Sequence, residues 1–154
     1  MVLKELRKKE NIDQDKKLYN AYSQFGELLN ELNKKELPLE IINSINTDID
    51  EINSFTESGK ELRKRIRKTQ SRIIKLIEKE LKLVAKNHYR NIWLAVGMSA
   101  FGISLGVVFG AILGNMAFIG IGLPIGMGIG VAIGSGMDKK AFEEGRQLDL
   151  EINY

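Results

Sequence analysis

The sequence predicts an all-α fold in which an antiparallel helical bundle or coiled stalk continues into a two-span hairpin of glycine-packed transmembrane helices. Three observations predict it. The stretch from Asn91 to Met137 has no charged side chain, and all but three of the fifteen glycines lie between Gly97 and Gly136. Residues 1–90 are instead rich in Lys, Glu and Asn, with apolar residues at helical spacing. We therefore expect a cytosolic bundle and stalk over 1–90, a hairpin over 91–137 and a cytosolic tail over 138–154.

The first two helices of the bundle are predicted by apolar residues that recur three and four positions apart. Asp13 is the expected N-cap of the first helix, and the second begins at Pro38, where a missing N–H is harmless. The apolar positions are Leu18, Tyr22, Phe25, Leu29 and Leu32 in the first helix, and Ile42, Ile45, Ile49 and Ile52 in the second.

The third helix is predicted from a capping box, with Ser58 as the cap and Glu61 reaching back to it. No proline or glycine separates this helix from the first span, so residues 60–113 form either one helix of about 80 Å or two helices broken near Asn87. The linkers 35–37 and 56–59 are short, which favours antiparallel neighbours. The apolar face comprises Leu62, Ile66, Ile73, Ile74, Ile77, Leu81 and Val84.

Charge is distributed unevenly along the bundle. Eight acidic and two basic residues lie between Glu27 and Glu57, whereas eight basic residues and one acidic residue lie between Lys60 and Lys75. The first interpretation is that the second and third helices attract each other. The alternative is an anionic-lipid contact, although such a cluster must lie within about 10 Å of the headgroups. Its residues would be Arg63, Lys64, Arg65, Arg67 and Lys68.

The uncharged stretch is long enough for two membrane spans, because one span needs about 20 residues. We expect the spans at about 91–113 and 118–137, folding back near Phe118. Basic residues flank the stretch on both sides, and none lies in the loop between the spans. The positive-inside rule then places both termini in the cytoplasm. The flanking residues are Lys82, Lys86 and Arg90 before the first span, and Lys139, Lys140 and Arg146 after the second.

Glycines recur every four residues in both spans, and such positions lie on one helix face. In lipid, glycine permits the close helix contact that the hydrophobic effect does not drive. Folding the chain back about Phe118 predicts a single register, in which the successive pairs are Gly102 with Gly134, Gly106 with Gly130, Gly110 with Gly126, and Gly114 with Gly122.

Three further glycines, Gly120, Gly128 and Gly136, recur every eight residues on another face of the second span. One interpretation is that this face packs against another copy of the chain and makes a homo-oligomer. The other is that transmembrane helices simply tolerate glycine.

The repeated G-x-x-x-G in Gly102–Gly114, together with the run GLPIGMGIGVAIGSGMDKK, resembles the glycine-zipper membrane proteins of bacteria. The resemblance implies a membrane-embedded, oligomeric role and carries over no functional site. The chain departs from the outer-membrane lipoproteins of that group because it has no lipobox cysteine. Met1–Glu10 also lacks the apolar core of a signal peptide. We therefore expect the inner membrane.

No catalytic, cofactor-binding or metal-binding constellation is recognisable. The chain has no cysteine and one histidine, His88, which by itself makes neither a usual zinc site nor a catalytic triad. A net charge of +3 with few aromatic residues does not indicate nucleic acid. We expect a structural or assembly protein, not an enzyme, whose partners are membrane lipid, further copies of itself and a cytosolic protein. The alternative is an oligomeric pore or membrane-perturbing effector.

The tail carries four apolar residues that could dock on the base of the stalk. They are Phe142, Leu148, Leu150 and Ile152.

Overall fold

The structure is a computed structural model that describes residues 2–7, 9, 12–56, 59–115, 117 and 119–152. The all-α prediction is confirmed. The chain forms two compact units, one comprising residues 1–85 with 148–154, and the other comprising residues 86–147. The first unit contains helices α1 (Lys16–Asn33), α2 (Leu39–Ser54) and α3 (Lys60–Leu81). The second contains α4 (His88–Val96), α5 (Ile103–Ile112) and α6 (Ile119–Glu143).

The core of the first unit is mostly aliphatic and is built largely from the apolar positions that the sequence predicts. Tyr22 and Leu81 are only partly buried, and Leu28, outside the predicted set, is fully buried. Helix α3 contacts both α1 and α2. The largest fully buried side chains of this core are Phe25, Leu28, Leu32, Ile45, Ile49, Ile52, Leu62, Ile66, Ile73, Ile77, Val84 and Leu148.

The expected attraction between the second and third helices takes the form of two ion pairs. Arg65 pairs with Glu51, and Arg72 pairs with Asp48. Because the α2 numbers fall as the α3 numbers rise, the two helices are antiparallel. The Asp48 side chain is 3% exposed whereas that of Arg72 is 58% exposed, so this pair joins a buried carboxylate to a solvated guanidinium.

Burial raises the pKa of the Asp48 carboxyl above its ordinary value, and Arg72 only partly opposes this effect. A carboxyl with a raised folded-state pKa binds its proton more tightly in the folded chain, so its contribution to stability grows as the pH falls through that pKa. We expect the wild type to gain stability relative to Asp48→Asn between pH 7 and pH 4. Urea unfolding followed by circular dichroism at both pH values measures the difference. Glu40→Gln, an exposed change on the same helix, is the control. The same pH dependence for both variants would contradict the prediction.

The ends of the bundle helices differ in detail from the prediction. The N-cap of α1 is Asp15, whose carboxylate accepts hydrogen bonds from the N–H groups of Lys17 (2.9 Å) and Leu18 (3.1 Å), and not Asp13. Pro38, predicted to be the first helical residue, is instead the N-cap of α2, which begins at Leu39. Ser58 lies outside the described residues. Gly59 stands at the N-cap of α3 with φ 66°, a conformation that favours glycine.

Of the two alternatives for residues 60–113, the structure has the broken helix. Helix α3 ends at Leu81, and Lys82 follows in the left-handed region with φ 57°. Asn87, at φ 60°, precedes α4 in the same conformation. Asparagine tolerates this region better than other non-glycine residues, so the second break coincides with the position that the sequence suggests.

The last part of the tail, from Leu148 onward, belongs to the first unit, whereas residues 138–147 belong to the second, so the unit boundaries differ from the expected ones at residues 90 and 138. Leu148, Leu150 and Ile152 are buried in the bundle core, and the Leu148 N–H donates to Val84 O at 2.9 Å. Phe142, the fourth expected docking residue, is exposed. It lies on α6, before the turn at Gly145 that releases the tail from the helix (φ 69°).

We expect Leu148→Ala to destabilise the bundle by about 2–5 kcal/mol, the usual loss for a buried leucine. Leu148 is 1% exposed, whereas Phe142 is 69% exposed, so Phe142→Ala is a control of comparable apolar loss. Urea unfolding followed by circular dichroism should show a lower midpoint for Leu148→Ala alone. Equal midpoints for the two variants would show that the tail does not contribute to the core.

Candidate functional site: the glycine-packed hairpin

The second unit contains two helices that are long and apolar enough to cross a membrane, His88–Ile112 and Ile119–Glu143. The first consists of α4, a π-helical segment over Gly97–Gly102, and α5 in one continuous run. Both extend beyond the predicted limits at the end that carries the flanking charges. Phe118, the expected fold-back point, lies outside the described residues.

Packing in the hairpin is the reverse of packing in a soluble core. No large apolar side chain that the structure describes in this unit is buried, and the outward residues include Ile103, Val108, Ile121 and Ile125. The buried positions are Gly97, Gly102, Gly106 and Gly110 in the first helix, and Gly122, Gly126, Gly130, Gly134, Asp138 and Ala141 in the second. The two helices therefore meet along bare backbone and direct their apolar side chains away from each other.

The predicted glycine register is wrong by about two helical turns. A Cβ placed on Gly122 would lie 2.7 Å from Gly106 Cα, and one placed on Gly126 would lie 2.6 Å from Gly102 Cα. Gly134, expected opposite Gly102, instead lies against the backbone of Tyr89 and Arg90.

Gly97 is not among the predicted contact glycines, but it belongs to the contact surface, because a Cβ there would lie 2.9 Å from Gly130 Cα. It stands five residues before Gly102, and the intervening π-helical turn accommodates that spacing. The Ile103 N–H donates to Met98 O, five residues earlier, which is the π-helical pattern. This turn keeps Gly97 and Gly102 on one face, so the contact continues from α5 into α4.

Gly114, predicted as the last contact glycine of the first span, has another role. It adopts φ 65° directly after Leu113, the C-cap of α5, and the Asn115 N–H donates to Gly110 O at 3.0 Å. This is the glycine-terminated helix end of a Schellman motif. A Cβ at Gly114 would meet nothing within 4 Å, so Gly114 ends the helix and makes no contact with the second one.

Asp138 closes the end of the hairpin opposite the turn. Its carboxylate is buried and accepts hydrogen bonds from the N–H groups of Tyr89 at 3.0 Å and Arg90 at 2.9 Å. These N–H groups belong to the first turn of α4, whose own N-cap, Asn87, makes no side-chain cap. A negative group there also interacts favourably with the helix dipole. Asp138 is not among the predicted site residues, although it continues the four-residue spacing of Gly130 and Gly134.

The remaining predicted site residues stay apart from this contact. A Cβ at Gly120, Gly128 or Gly136 would meet nothing within 4 Å, so that stripe is open on the outer surface of α6. The five basic residues Arg63, Lys64, Arg65, Arg67 and Lys68 all lie on α3 in the other unit, and Arg65 pairs with Glu51. His88 contacts the Tyr89 ring edge-on at 5.0 Å. Among the described residues, no group of His, Cys, Asp and Glu could hold a metal ion.

The chain matches no protein-family model, and no curated protein or solved structure is significantly similar to it. The resemblance to glycine-zipper proteins therefore depends on the glycine motif alone.

Proposed function

We propose that the chain is an integral membrane structural protein, in which the hairpin is the membrane anchor and the α1–α3 bundle is presented to a cytosolic partner. The observation that carries the proposal is the inside-out packing of the second unit. In water, its outward isoleucines and valines would remain exposed over both helices, at about 25 cal/mol per Å² of apolar surface. In lipid the same apolar surface faces the acyl chains, and close backbone contact holds the two helices together.

The charges favour one orientation, in the inner membrane with both termini in the cytoplasm. Lys86 and Arg90 at the start of the first helix, and Lys139 and Lys140 near the end of the second, belong to the end of the hairpin that Asp138 closes. The opposite end, near Gly114, has no basic residue. This distribution agrees with the positive-inside rule.

The open stripe of Gly120, Gly128 and Gly136 supports self-association as the second part of the proposal. Glycine costs about 1 kcal/mol relative to alanine within a helix, and these three glycines make no contact inside the hairpin that offsets this cost. A neighbouring copy packed against the stripe would supply that contact.

A pair of lysine substitutions tests the membrane anchor. Ile103→Lys with Ile129→Lys introduces two charges on exposed residues near the middle of the two helices. In lipid each lysine costs about 2.5–3.5 kcal/mol, so we expect the variant to leave the membrane fraction, whereas wild type resists extraction with alkaline carbonate. Tyr19→Lys, on an exposed residue of α1, is the control and should stay in the membrane. A wild type found in the aqueous fraction would overturn the proposal.

Crosslinking of the purified protein in liposomes tests self-association. We expect Gly128→Leu to lose the crosslinked oligomer and remain a folded, membrane-bound monomer, because the added side chain projects into open space in the single chain. An unchanged oligomer would exclude this face. Alternatively, dye leaks from the wild-type liposomes and stops leaking in Gly128→Leu together with loss of the oligomer. That result would favour the pore, because the glycine contact within one hairpin leaves no channel.

A further inference from the structure

Residues 2–7 lie extended in a groove between α1 and α2. Leu3 is buried, and Leu6 packs against the bundle core. The Leu3 N–H donates to Asn33 Oδ1 at 3.0 Å near the end of α1, while the Tyr22 hydroxyl donates to Arg7 O nearer its start. The segment therefore runs antiparallel to α1.

Two asparagines of α2 hold the main chain of this segment. Asn46 Oδ1 accepts from the Lys4 N–H at 2.7 Å, and Asn53 Oδ1 accepts from the Arg7 N–H at 2.8 Å. The Asn53 Nδ2 also donates to Glu5 O at 3.1 Å, so one amide binds both a donor and an acceptor of the extended backbone. We call Asn46 and Asn53 the amide clamp.

The spacing of the amide clamp fits an extended peptide. The two asparagines are seven positions apart on α2, a rise of about 10 Å, and the three positions from Lys4 to Arg7 cover the same length when extended. Helix and segment run in the same direction, so successive turns of α2 meet successive backbone groups. The clamp selects extended backbone, while side-chain preference comes from apolar residues at positions 3 and 6 and from acidic α2. There Asp50 pairs with Lys4 at 2.6 Å.

We propose that this groove binds an extended, basic segment supplied by another molecule, and that its occupant is residues 2–7 of a second copy of the chain. The groove is filled in the structure by the chain's own residues 2–7. The same contacts form whether that segment comes from the same chain or from a neighbouring copy. Exchange then depends on whether the local concentration of neighbours approaches the effective concentration of a tethered segment, about millimolar. This step rests on the proposed self-association in the membrane, which would provide that concentration.

The absence of cysteine from the chain allows a direct test. Lys4→Cys and Asp50→Cys are prepared as separate full-length proteins that differ in tag length, mixed in the same liposomes and treated with a short bismaleimide. The two side chains replaced are about half exposed, so the loss of their ion pair changes little. We expect a crosslink between the two tagged species, because exchange brings position 4 of one copy next to position 50 of another.

Variants of the groove and of the segment test its specificity. Asn46→Leu with Asn53→Leu in the Asp50→Cys protein should lower the mixed product about tenfold or more, because three hydrogen bonds are lost. Asn43→Leu, on an exposed asparagine of the same helix that makes none of these bonds, should leave the product within about twofold, as expected for a small change. Leu3→Asp in the Lys4→Cys protein should also abolish the product without altering the groove itself.

A parallel crosslink through Gly128→Cys separates this proposal from the preceding one. If the Gly128→Cys product forms but the mixed 4–50 product does not, segment exchange is overturned and self-association stands. If the mixed product forms without the Gly128→Cys product, exchange is supported and the glycine stripe is excluded as the oligomer contact. A mixed product that is insensitive to the loss of the amide clamp reports random collision and overturns exchange.

Discussion

Gly126→Ala is expected to force the two hairpin helices apart. A single methyl group at this position would lie 2.5 Å from Gly102 N and 2.6 Å from Gly102 Cα, and neither backbone atom can move by rotating a side chain. The whole contact surface must shift, so we expect a loss of about 3 kcal/mol, the upper end of the usual overpacking cost. Trp93 is the single tryptophan, and its backbone lies against Gly130, so its fluorescence in detergent reports separation of the helices during thermal unfolding.

Gly128→Ala is the matched control, two residues away on the same helix. A Cβ there meets nothing within 4 Å, and alanine is the better helix former, so the midpoint should be unchanged or raised. Gly97→Ala then tests the register. The observed packing makes it as harmful as Gly126→Ala, because its Cβ would approach Gly130 Cα to 2.9 Å, whereas the predicted ladder leaves Gly97 outside the contact. Equal midpoints for Gly126→Ala and Gly128→Ala would refute the backbone contact.

Asp138→Ala is expected to have the second large effect. The substitution leaves the N–H groups of Tyr89 and Arg90 without their carboxylate acceptor at the base of the hairpin. Both hydrogen bonds are only partly buried, so water replaces part of the lost interaction, and we expect a loss of about 1–3 kcal/mol. The thermal midpoint should fall, and the amide hydrogens of Tyr89 and Arg90 should exchange faster with solvent.

Two variants make the Asp138 result specific. Asp138→Asn keeps one acceptor oxygen, so its effect should lie between those of wild type and Asp138→Ala. Glu143→Ala removes an exposed carboxylate of the same helix, whose ion pair with Lys139 spans 3.8 Å, and should have little effect. Unchanged amide exchange at Tyr89 and Arg90 in Asp138→Ala would show that the carboxylate does not cap α4.

Much of the bundle could be predicted because a buried helix face requires apolar residues every three or four positions. The isoleucines of α2, from Ile42 to Ile52, and those of α3, from Ile66 to Ile77, are buried as expected. The amide clamp could not be predicted in this way. No local sequence pattern distinguishes a helix-surface asparagine whose amide is solvated from one whose amide binds a distant extended segment.

The glycine register illustrates a different limit. When glycine recurs every four residues in both helices, shifting one helix along the other by four or eight residues still places glycine opposite glycine. The spacing alone therefore does not select one alignment. The observed alignment depends on details outside the repeat, namely the π-helical turn at Gly97–Gly102 and the Asp138 cap. Two signals were available in the sequence. Gly97 breaks the period by one residue, and Asp138 continues the period of α6 beyond its last glycine.

The amino-acid sequence alone determined the all-α fold, the two long apolar helices and the faces along which the helices pack, because these follow from the local period of apolar and small residues. The tertiary structure alone decided which backbone atoms meet. It set the glycine register, the broken helix between α3 and α4, and the insertion of both terminal segments into the bundle. These features depend on hydrogen bonds and steric contacts between residues distant in the chain, which no local period encodes.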